Sequence, residues 1–347
     1  MKKPISKIKR ASQIFWIGSG LASLYFVPWI IVKAWIMPLP ESIPEQLEEG
    51  LDMGFGGLIA YVEVGEQAGE SYAAGWHNPA LKTPAKPGAL FKIASISKLY
   101  VAVSVAKLVA RGQLSLDASL ASYFPELADR IEYADQISLR MLVQHRSGIP
   151  SFTDVPDFWL NPPNNSQETL AMVLDLPAQF KPGTEYYYSN TNYLLLRELL
   201  DQILGYSHHE FVKKEILQPL SLDHTYMSLK EVNSTQIMSG FHVGYTPDLK
   251  TEGDTMFASA EDVGLFIRAL NNGSVFKSEK EAAIYKEIYV YEHTGLMPGY
   301  QSIASYEEDL DAVVVLFSNT TDFEGYEWNL GEIIHSRMVK ILRNTLE

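Results

Sequence analysis

LFKIASISKLYVAVSVAKLVARG, residues 90–112, is the stretch from which the rest of the chain is best read. Leu90 to Ala94 has the look of a short strand. From Ser95 the apolar residues recur at helical spacing until Gly112, a residue suited to the position just past a helix end. A serine therefore opens a helix, and Lys98 follows one turn later. At an i, i+3 spacing the two side chains share a face, so the amine can reach the hydroxyl. A serine hydroxyl is a weak nucleophile until a base removes its proton, and a lysine is a base only when neutral. Burial and nearby positive charge favour the neutral amine. Backbone N–H groups at the helix amino terminus also stabilise developing negative charge. The spacing alone is weak: S-x-x-K recurs at Ser6/Lys9, Ser104/Lys107 and Ser274/Lys277, where a capping or surface serine is the simpler reading. What marks out Ser95 is the strand running into a helix.

Upstream, GLIAYVEVG (57–65) and SYAAGWHNPA (71–80) read as two strands joined by the turn-rich EQAGE. Residues from about 115 to 285 read mostly as helices and loops, broken at Gly148-Ile-Pro150, Asn161-Pro-Pro163 and Lys181-Pro-Gly183. Strand patterns return in YVYEHTG (289–295), QSIASYEE (301–308) and DAVVVLFSN (311–319). An amphipathic helix then carries Leu330, Ile333, Ile334, Met338, Ile341 and Leu342 on one face. Strands at both ends and helices between them predict an α+β fold. One antiparallel sheet is flanked by helices from both chain ends, with an inserted all-helical part. The expected divisions are a basic tail (1–13), an apolar anchor (14–37), a linker (38–50) and a catalytic body (51–347). Within the body, the α/β part covers about 51–114 and 286–347, and the helical part about 115–285.

Two further elements carry chemistry. Tyr188-Ser189-Asn190 follows a Lys-Pro-Gly turn and precedes an apolar run. The Tyr188 phenol suits a proton shuttle if neighbouring cations hold it as phenolate, and the Asn190 amide suits a donor to a substrate amide. The plainer alternative is tyrosine packing with Asn190 or Thr191 as a helix cap. His293-Thr294-Gly295 lies in a strand pattern, where glycine permits close backbone approach and pairing with an extended substrate. His293 and Thr294 supply a cation or donor for a negatively charged substrate end. The backbone N–H of Leu296, with that of Ser95, suits an oxyanion hole. An ordinary turn with an exposed histidine is the bland alternative.

In the order S-x-x-K, Y-x-N, H-T-G, the three elements resemble the serine β-lactamase and penicillin-binding protein superfamily. Tyrosine and histidine in the second and third motifs look most like class C β-lactamases and low-molecular-weight D-alanyl-D-alanine carboxypeptidases. The segments RGQLSLDASLASYFPE, ISLRMLVQHRSGIPSF, ILQPLSLDHTYMS and GDTMFASAEDVGLFIRAL are similar to that branch too, so the resemblance spans about residues 51–345. It implies an α/β part and a helical part with the active site in the groove between them. It also implies an acyl-enzyme on Ser95, proton handling by Lys98 and Tyr188, acyl-amide binding by Asn190, and carboxylate recognition by His293 and Thr294. Because a histidine is only partly charged near neutrality, that recognition is expected to be weaker and pH-dependent. The expected activity is that of a serine hydrolase of the DD-peptidase/carboxypeptidase kind or a related amide or ester hydrolase. The alternatives are a class C-like β-lactamase or esterase, or a catalytically idle, anchored binding or sensor protein. The expected substrate is a small peptide, ester or β-lactam, with no cofactor and no metal.

Composition and charge narrow the rest. Apolar residues at 46% and charged residues at 20% describe a globular chain with a substantial core. Residues 1–38 carry six basic residues and no acidic one, leaving 22 basic against 42 acidic in the remainder. So acidic a body is a poor holder of nucleic acid. The chain has no cysteine, which rules out thiolate chemistry and disulfides. Ile14 to Val32 is uncharged for nineteen residues, at ~1.5 Å rise enough for a hydrocarbon core. With KKPISKIKR ahead of it, Trp16, Trp29 and Trp35 along it, and Lys33 near its end, it predicts a single-pass anchor. The amino terminus would be cytoplasmic and the body extracytoplasmic. A cleaved signal is the alternative, but an Ala-x-Ala-like site is missing. Other hydrolase and nucleotide signatures fail: there is no G-x-S-x-G, His208-His209-Glu210 lacks a second spaced histidine, and Gly54-Phe-Gly56 meets Ile59 at the third glycine position.

Overall fold

Strand β1 (Gly57–Val64) is buried almost throughout, and its side chains part with period 2. Leu58, Ala60 and Val62 enter one hydrophobic cluster, Ile59 and Tyr61 another. A strand apolar on both faces belongs in the middle of a covered sheet. The computed structural model, which describes residues 15–16, 24–245, 248–251, 253 and 255–346, puts it there. The other strands are β2 (Glu70–Asn78), β3 (Thr83–Pro84), β4 (His293–Met297), β5 (Tyr300–Glu307) and β6 (Ala312–Ser318). They form one antiparallel sheet in the order β3-β2-β1-β6-β5-β4. Both chain ends thus meet at the β1–β6 pair, with Ile59 opposite Phe317. Strand β4 lies at the edge, hydrogen-bonded to β5 on one side.

The longer helices are α1 (Trp29–Ile36), α2 (Ile43–Asp52), α3 (Ser97–Ala110), α4 (Asn190–Leu204), α5 (Ala260–Asn271), α6 (Glu279–Ile288) and α7 (Glu327–Leu346). Leu47 of α2 and Leu330, Ile334 and Met338 of α7 cover one face of the sheet with Val314 and Leu316 of β6. Val263, Phe266 and Ile267 of α5 cover the other with Val313, Val315 and Phe317. Helix α3 is buried in that second cluster and touches α4 and α6, so it joins the sheet to the helices inserted between β3 and β4. This is the expected α+β architecture.

Two expectations at the amino end are corrected. Residues 38–50 do not form a spacer: Ser42 caps α2 by accepting from the N–H of Glu45, and Ile43, Gln46, Leu47 and Gly50 are buried. The cap and the i, i+4 apolar pair turn a Pro- and Glu-rich stretch into a covering helix. The single continuous helix expected over the anchor is also absent where the structure describes it. Leu24–Phe26 is a 3-10 turn, and α1 begins only after Pro28, which lacks an N–H to continue a helix from upstream. Helix α1 docks on the body through buried Ala34. Arg337 of α7 donates to the carbonyls of Met37 (2.9 Å) and Pro38 (2.8 Å), to Gln46 (2.6 Å) and to Glu49 (2.8 Å). Among the described residues no helix is long and apolar enough to cross a membrane. The basic tail and residues 14 and 17–23 of the expected anchor lie outside the described residues.

The strand expected from Tyr289 starts later, at His293. Tyr289 instead ends α6, its N–H reaching Tyr285 O, and its ring turns inward toward the site.

Candidate active site

Ser95 sits in a 3-10 turn, Ala94–Ile96, that leads straight into α3. Ala94 holds φ +47, a left-handed conformation that costs a non-glycine residue energy and lifts the next side chain out of the regular path. The turn is fixed from the sheet side. A Cβ on Gly295 would come within 2.5 Å of Ile93 O and 3.1 Å of the Ala94 Cβ, so only glycine lets β4 lie against the serine turn. Ser302 of β5 adds a hydrogen bond to Ile93 O at 3.1 Å. Leu296 is therefore the next residue along an edge strand already pressed against the serine turn.

Lys98 lies one turn into the helix, 7% exposed. Its Nζ donates to Ser95 Oγ at 3.0 Å and to Asn190 Oδ1 at 2.8 Å. The ammonium also faces the rings of Tyr188 (5.0 Å) and Tyr193 (5.5 Å). No carboxylate pairs with it among the described residues. Burial, with Arg197 nearby adding a smaller push, lowers its pKa to about 7. A lysine so placed is in large part a free amine at neutral pH.

Tyr188 behaves otherwise. Burial, the largest influence, drives its pKa well above that of a free phenol, although Ser95 is close enough to pull it down. Its hydroxyl has no hydrogen-bond partner of good geometry among the described residues. The phenolate considered from sequence is therefore not what this environment favours; Tyr188 is a buried neutral phenol beside the serine. Asn190, the first residue of α4, spends both ends of its amide. Oδ1 accepts from Lys98, and Nδ2 donates to Thr153 Oγ1 at 3.0 Å.

The third motif departs from its expected electrostatics. His293 Nδ1 donates to the carbonyl of Thr294, and Nε2 accepts from the Tyr289 hydroxyl at 2.9 Å. Burial first, then the charge of Lys98, lowers its pKa to about 4. At neutral pH the ring is uncharged, with both nitrogens engaged.

Ser95, Tyr188, Asn190, His293, Thr294 and Leu296 line one open cavity, with about 450 Å³ of room for solvent. The sequence-predicted residues thus come together from three distant segments, Gly295 packing beneath the serine turn. Other residues were given no role from sequence. His145, with φ +56, accepts from the N–H of Ser189 at 3.1 Å and stacks on Tyr188 at 4.3 Å. Burial lowers its pKa to about 3, so it is a neutral wedge that sets the Tyr188–Asn190 corner. Ser151 Oγ accepts from Asn190 N at 3.0 Å. Thr153, Asp154, Trp159, Phe323 and Trp328 complete the cavity wall. The signal for the first group was the Gly148-Ile-Pro150 break beside His145. Phe323 and Trp328 carried none, because they reach the site only through the sheet's topology.

This chain belongs to the β-lactamase family, whose model, described as Beta-lactamase, matches residues 45–330. It is 27% identical over 217 residues to Protein flp of Staphylococcus aureus (strain MW2), covering 59% of this chain and 43% of that protein. It is 29% identical over 174 residues to a putative D-alanyl-D-alanine carboxypeptidase of Escherichia coli (strain K12), covering 47% of this chain and 40% of that one. The chain thus spans less than half the length of these curated relatives. Among solved structures, D-amino acid amidase from Ochrobactrum anthropi SV3 superposes with a TM-score of 0.77 at 21% identity, covering 88% of this chain and 99% of that one. A class C β-lactamase from Rhodobacter sphaeroides gives 0.67 at 20%, with the same coverages. At such identities the structures show a shared fold.

Proposed function

We propose that this protein is a serine hydrolase working through an acyl-enzyme on Ser95, with Lys98 as the base. The observation that carries this reading is a buried amine, free of any carboxylate partner among the described residues, 3.0 Å from the serine hydroxyl and poised near neutrality. Ser95 Oγ attacks a substrate carbonyl carbon as Lys98 takes the hydroxyl proton. The backbone N–H groups of Ser95 and Leu296 hold the oxyanion of the tetrahedral intermediate. As the C–N or C–O bond breaks, the proton passes from the Lys98 ammonium by way of the Tyr188 phenol to the leaving group. Water, deprotonated by the same amine, then cleaves the Ser95 ester. His145 positions Tyr188 and Asn190 without touching the substrate.

Among peptidase, β-lactamase, esterase and amidase activities, we favour hydrolysis of amides or esters whose leaving group carries no carboxylate. A neutral His293 with both nitrogens engaged offers a carboxylate no charge and no free N–H, which leaves Thr294 as the donor of that motif. The structural likeness to an amidase is consistent with that preference. The reading keeps the expected extracytoplasmic setting of the catalytic body.

The test is covalent labelling of the full chain with an uncharged acyl phosphonate, and in parallel with a fluorescent penicillin. The phosphonate is expected to modify Ser95, the penicillin to react more slowly, and Ser95→Ala to take up neither. No reaction in wild type, or equal labelling of Ser95→Ala, rejects the proposal.

A further inference from the structure

We propose that Tyr289 determines leaving-group specificity by acting through His293. Its hydroxyl holds the histidine as an uncharged acceptor at the back of the cavity wall, and so steers the enzyme away from leaving groups that carry a carboxylate. Tyr289 is a positioning residue rather than a catalytic one, because His293 and Thr294 line the cavity and Tyr289 does not. The inference rests on the acyl-enzyme reading and names the side chain that sets its leaving-group preference.

Three observations carry it. The first is the pattern of bonds on the ring. His293 Nδ1 meets the carbonyl of Thr294, which can only accept, so Nδ1 bears the hydrogen. In the neutral ring Nε2 is then an acceptor, and the Tyr289 hydroxyl donates to it at 2.9 Å. A hydrogen bond to the neutral form disfavours the charged one. To become a cation, the ring would need a proton at the place where Tyr289 already points its own. The second is the company the ring keeps. Of the titratable groups facing it, Lys98 and His145 oppose an imidazolium, and Tyr188 is a neutral phenol with its ring centroid 6.2 Å away. The third is how firmly the Tyr289 phenol is held. Its own N–H closes α6 on Tyr285 O. Around it, Gln144 Nε2 donates to Glu287 O at 2.8 Å, the Tyr285 hydroxyl to Val290 O at 2.5 Å, and Asn271 Nδ2 to Tyr291 O at 3.1 Å. The ring packs on Tyr193 with centroids 5.5 Å apart and stacks on His293 at 5.9 Å. Bonds from three separate stretches thus fix the short segment that aims one hydroxyl at one imidazole nitrogen.

The experiment compares two phenylacetyl esters that differ only in the leaving group, m-hydroxybenzoate and m-hydroxybenzamide. Each rate is referred to the uncatalysed hydrolysis of that ester at the same pH. The readout is the ratio of kcat/KM, carboxylate over carboxamide, at pH 6 and pH 8. Lys98 must be neutral to act on either ester, so its titration divides out. Wild type is expected to favour the carboxamide by a nearly constant ratio at both pH values. Tyr289→Phe frees Nε2 to take a proton, and is expected to raise the ratio about tenfold at pH 6 and by less at pH 8, the range of a charge-assisted contact. In the double variant Tyr289→Phe/His293→Asn the gain should vanish, because the effect runs through the imidazole. Phosphonate labelling of Ser95 reports separately that each variant keeps its nucleophile; if Tyr289→Phe does not label, Tyr289→Leu carries the comparison. A ratio unmoved in a variant that still labels, or a gain that survives loss of the imidazole, overturns the inference while leaving the hydrolase reading intact. Absence of labelling in wild type sinks both.

Discussion

Helix α3 and the turn that opens it carry the same short motif twice, nine residues apart, and only one copy faces the cavity. Ser95/Lys98 and Ser104/Lys107 share the spacing, and Lys98, Ser104 and Lys107 are all buried while Ser95 is half-buried. Burial lowers the pKa of both lysines. The surroundings then diverge. Lys107 donates to Val275 O at 2.7 Å and to Glu281 Oε2 of α6 at 3.1 Å, and Ser104 Oγ turns back along the helix to Tyr100 O at 2.8 Å. Lys98 meets no carboxylate among the described residues, and its serine faces the cavity. The i, i+3 spacing makes an amine–hydroxyl contact possible at either place. What makes one a base and the other a strut is the charge of the third partner and the presence of open space.

The sharpest way to break this comparison is to exchange each lysine for methionine. Lys98→Met is expected to lower the acylation rate of Ser95 about 10³-fold or more, in the range of a lost general base and nucleophile activator. Lys107→Met should leave the rate of the folded fraction within about tenfold. Single-turnover labelling followed by mass spectrometry reads both. Wild-type acylation should rise with pH and reach half its plateau near 7, where Lys98 loses its proton. His293 and His145, at about 4 and about 3, are already neutral there and add no second step. A flat profile from pH 5 to 9 would remove Lys98 from the role of base.

Stability should order the two lysines in the opposite sense. Lys107→Met leaves Glu281 buried without its ammonium, a loss expected to cost about 3–5 kcal/mol by urea unfolding. The N–H of Lys277 still donates to that carboxylate at 2.8 Å, which places the expectation toward the lower end. A loss under about 1 kcal/mol would show that the pair is not the strut the comparison makes it.

How much of this contrast was legible before folding follows from the same pair of motifs. The strand leading into Ser95 singled it out, and the short, turn-bounded apolar runs of β1 and β6 located the sheet, because both signals are local. The environment that separates Lys98 from Lys107 is not local. Glu281 is 174 residues from Lys107, and Asn190 is 92 from Lys98. The described part of the apolar run at the amino end, from Leu24, follows a path that its composition does not announce. Composition registers hydrophobicity, whereas Pro28 and the docking of Ala34 and Arg337 decide where it goes. His145, Asp154 and Phe323 enter the site through loops and topology, with no repeat or spacing to announce them.

A third effect is smaller and of opposite sign to the second. A lysine whose folded pKa is about 7 against 10.5 for the free side chain binds fewer protons folded than unfolded between those values. Stability therefore rises with pH across that window, and the penalty is fully present below about 7. Lys98→Met removes it, so at pH 6 the inactive variant should be more stable than wild type by about 1–2 kcal/mol, some of the gain being offset by lost contacts to Ser95 and Asn190. A less stable Lys98→Met at pH 6 would mean that those contacts outweigh the buried charge.

The finest discrimination comes from the serines. Ser104 Oγ competes for a carbonyl inside the helix, an interaction that offers little net stability, and alanine is the better helix former. Ser104→Ala is expected to shift stability by less than about 1 kcal/mol in either direction and to leave labelling of Ser95 unchanged. Ser95→Ala abolishes labelling, since the bond to the acyl group forms at that oxygen. If Ser104→Ala slowed acylation appreciably, the two halves of α3 would be coupled through Tyr100, which stacks on Phe266 of α5 at 3.7 Å. The helix could then no longer be divided into a reactive end and a structural end.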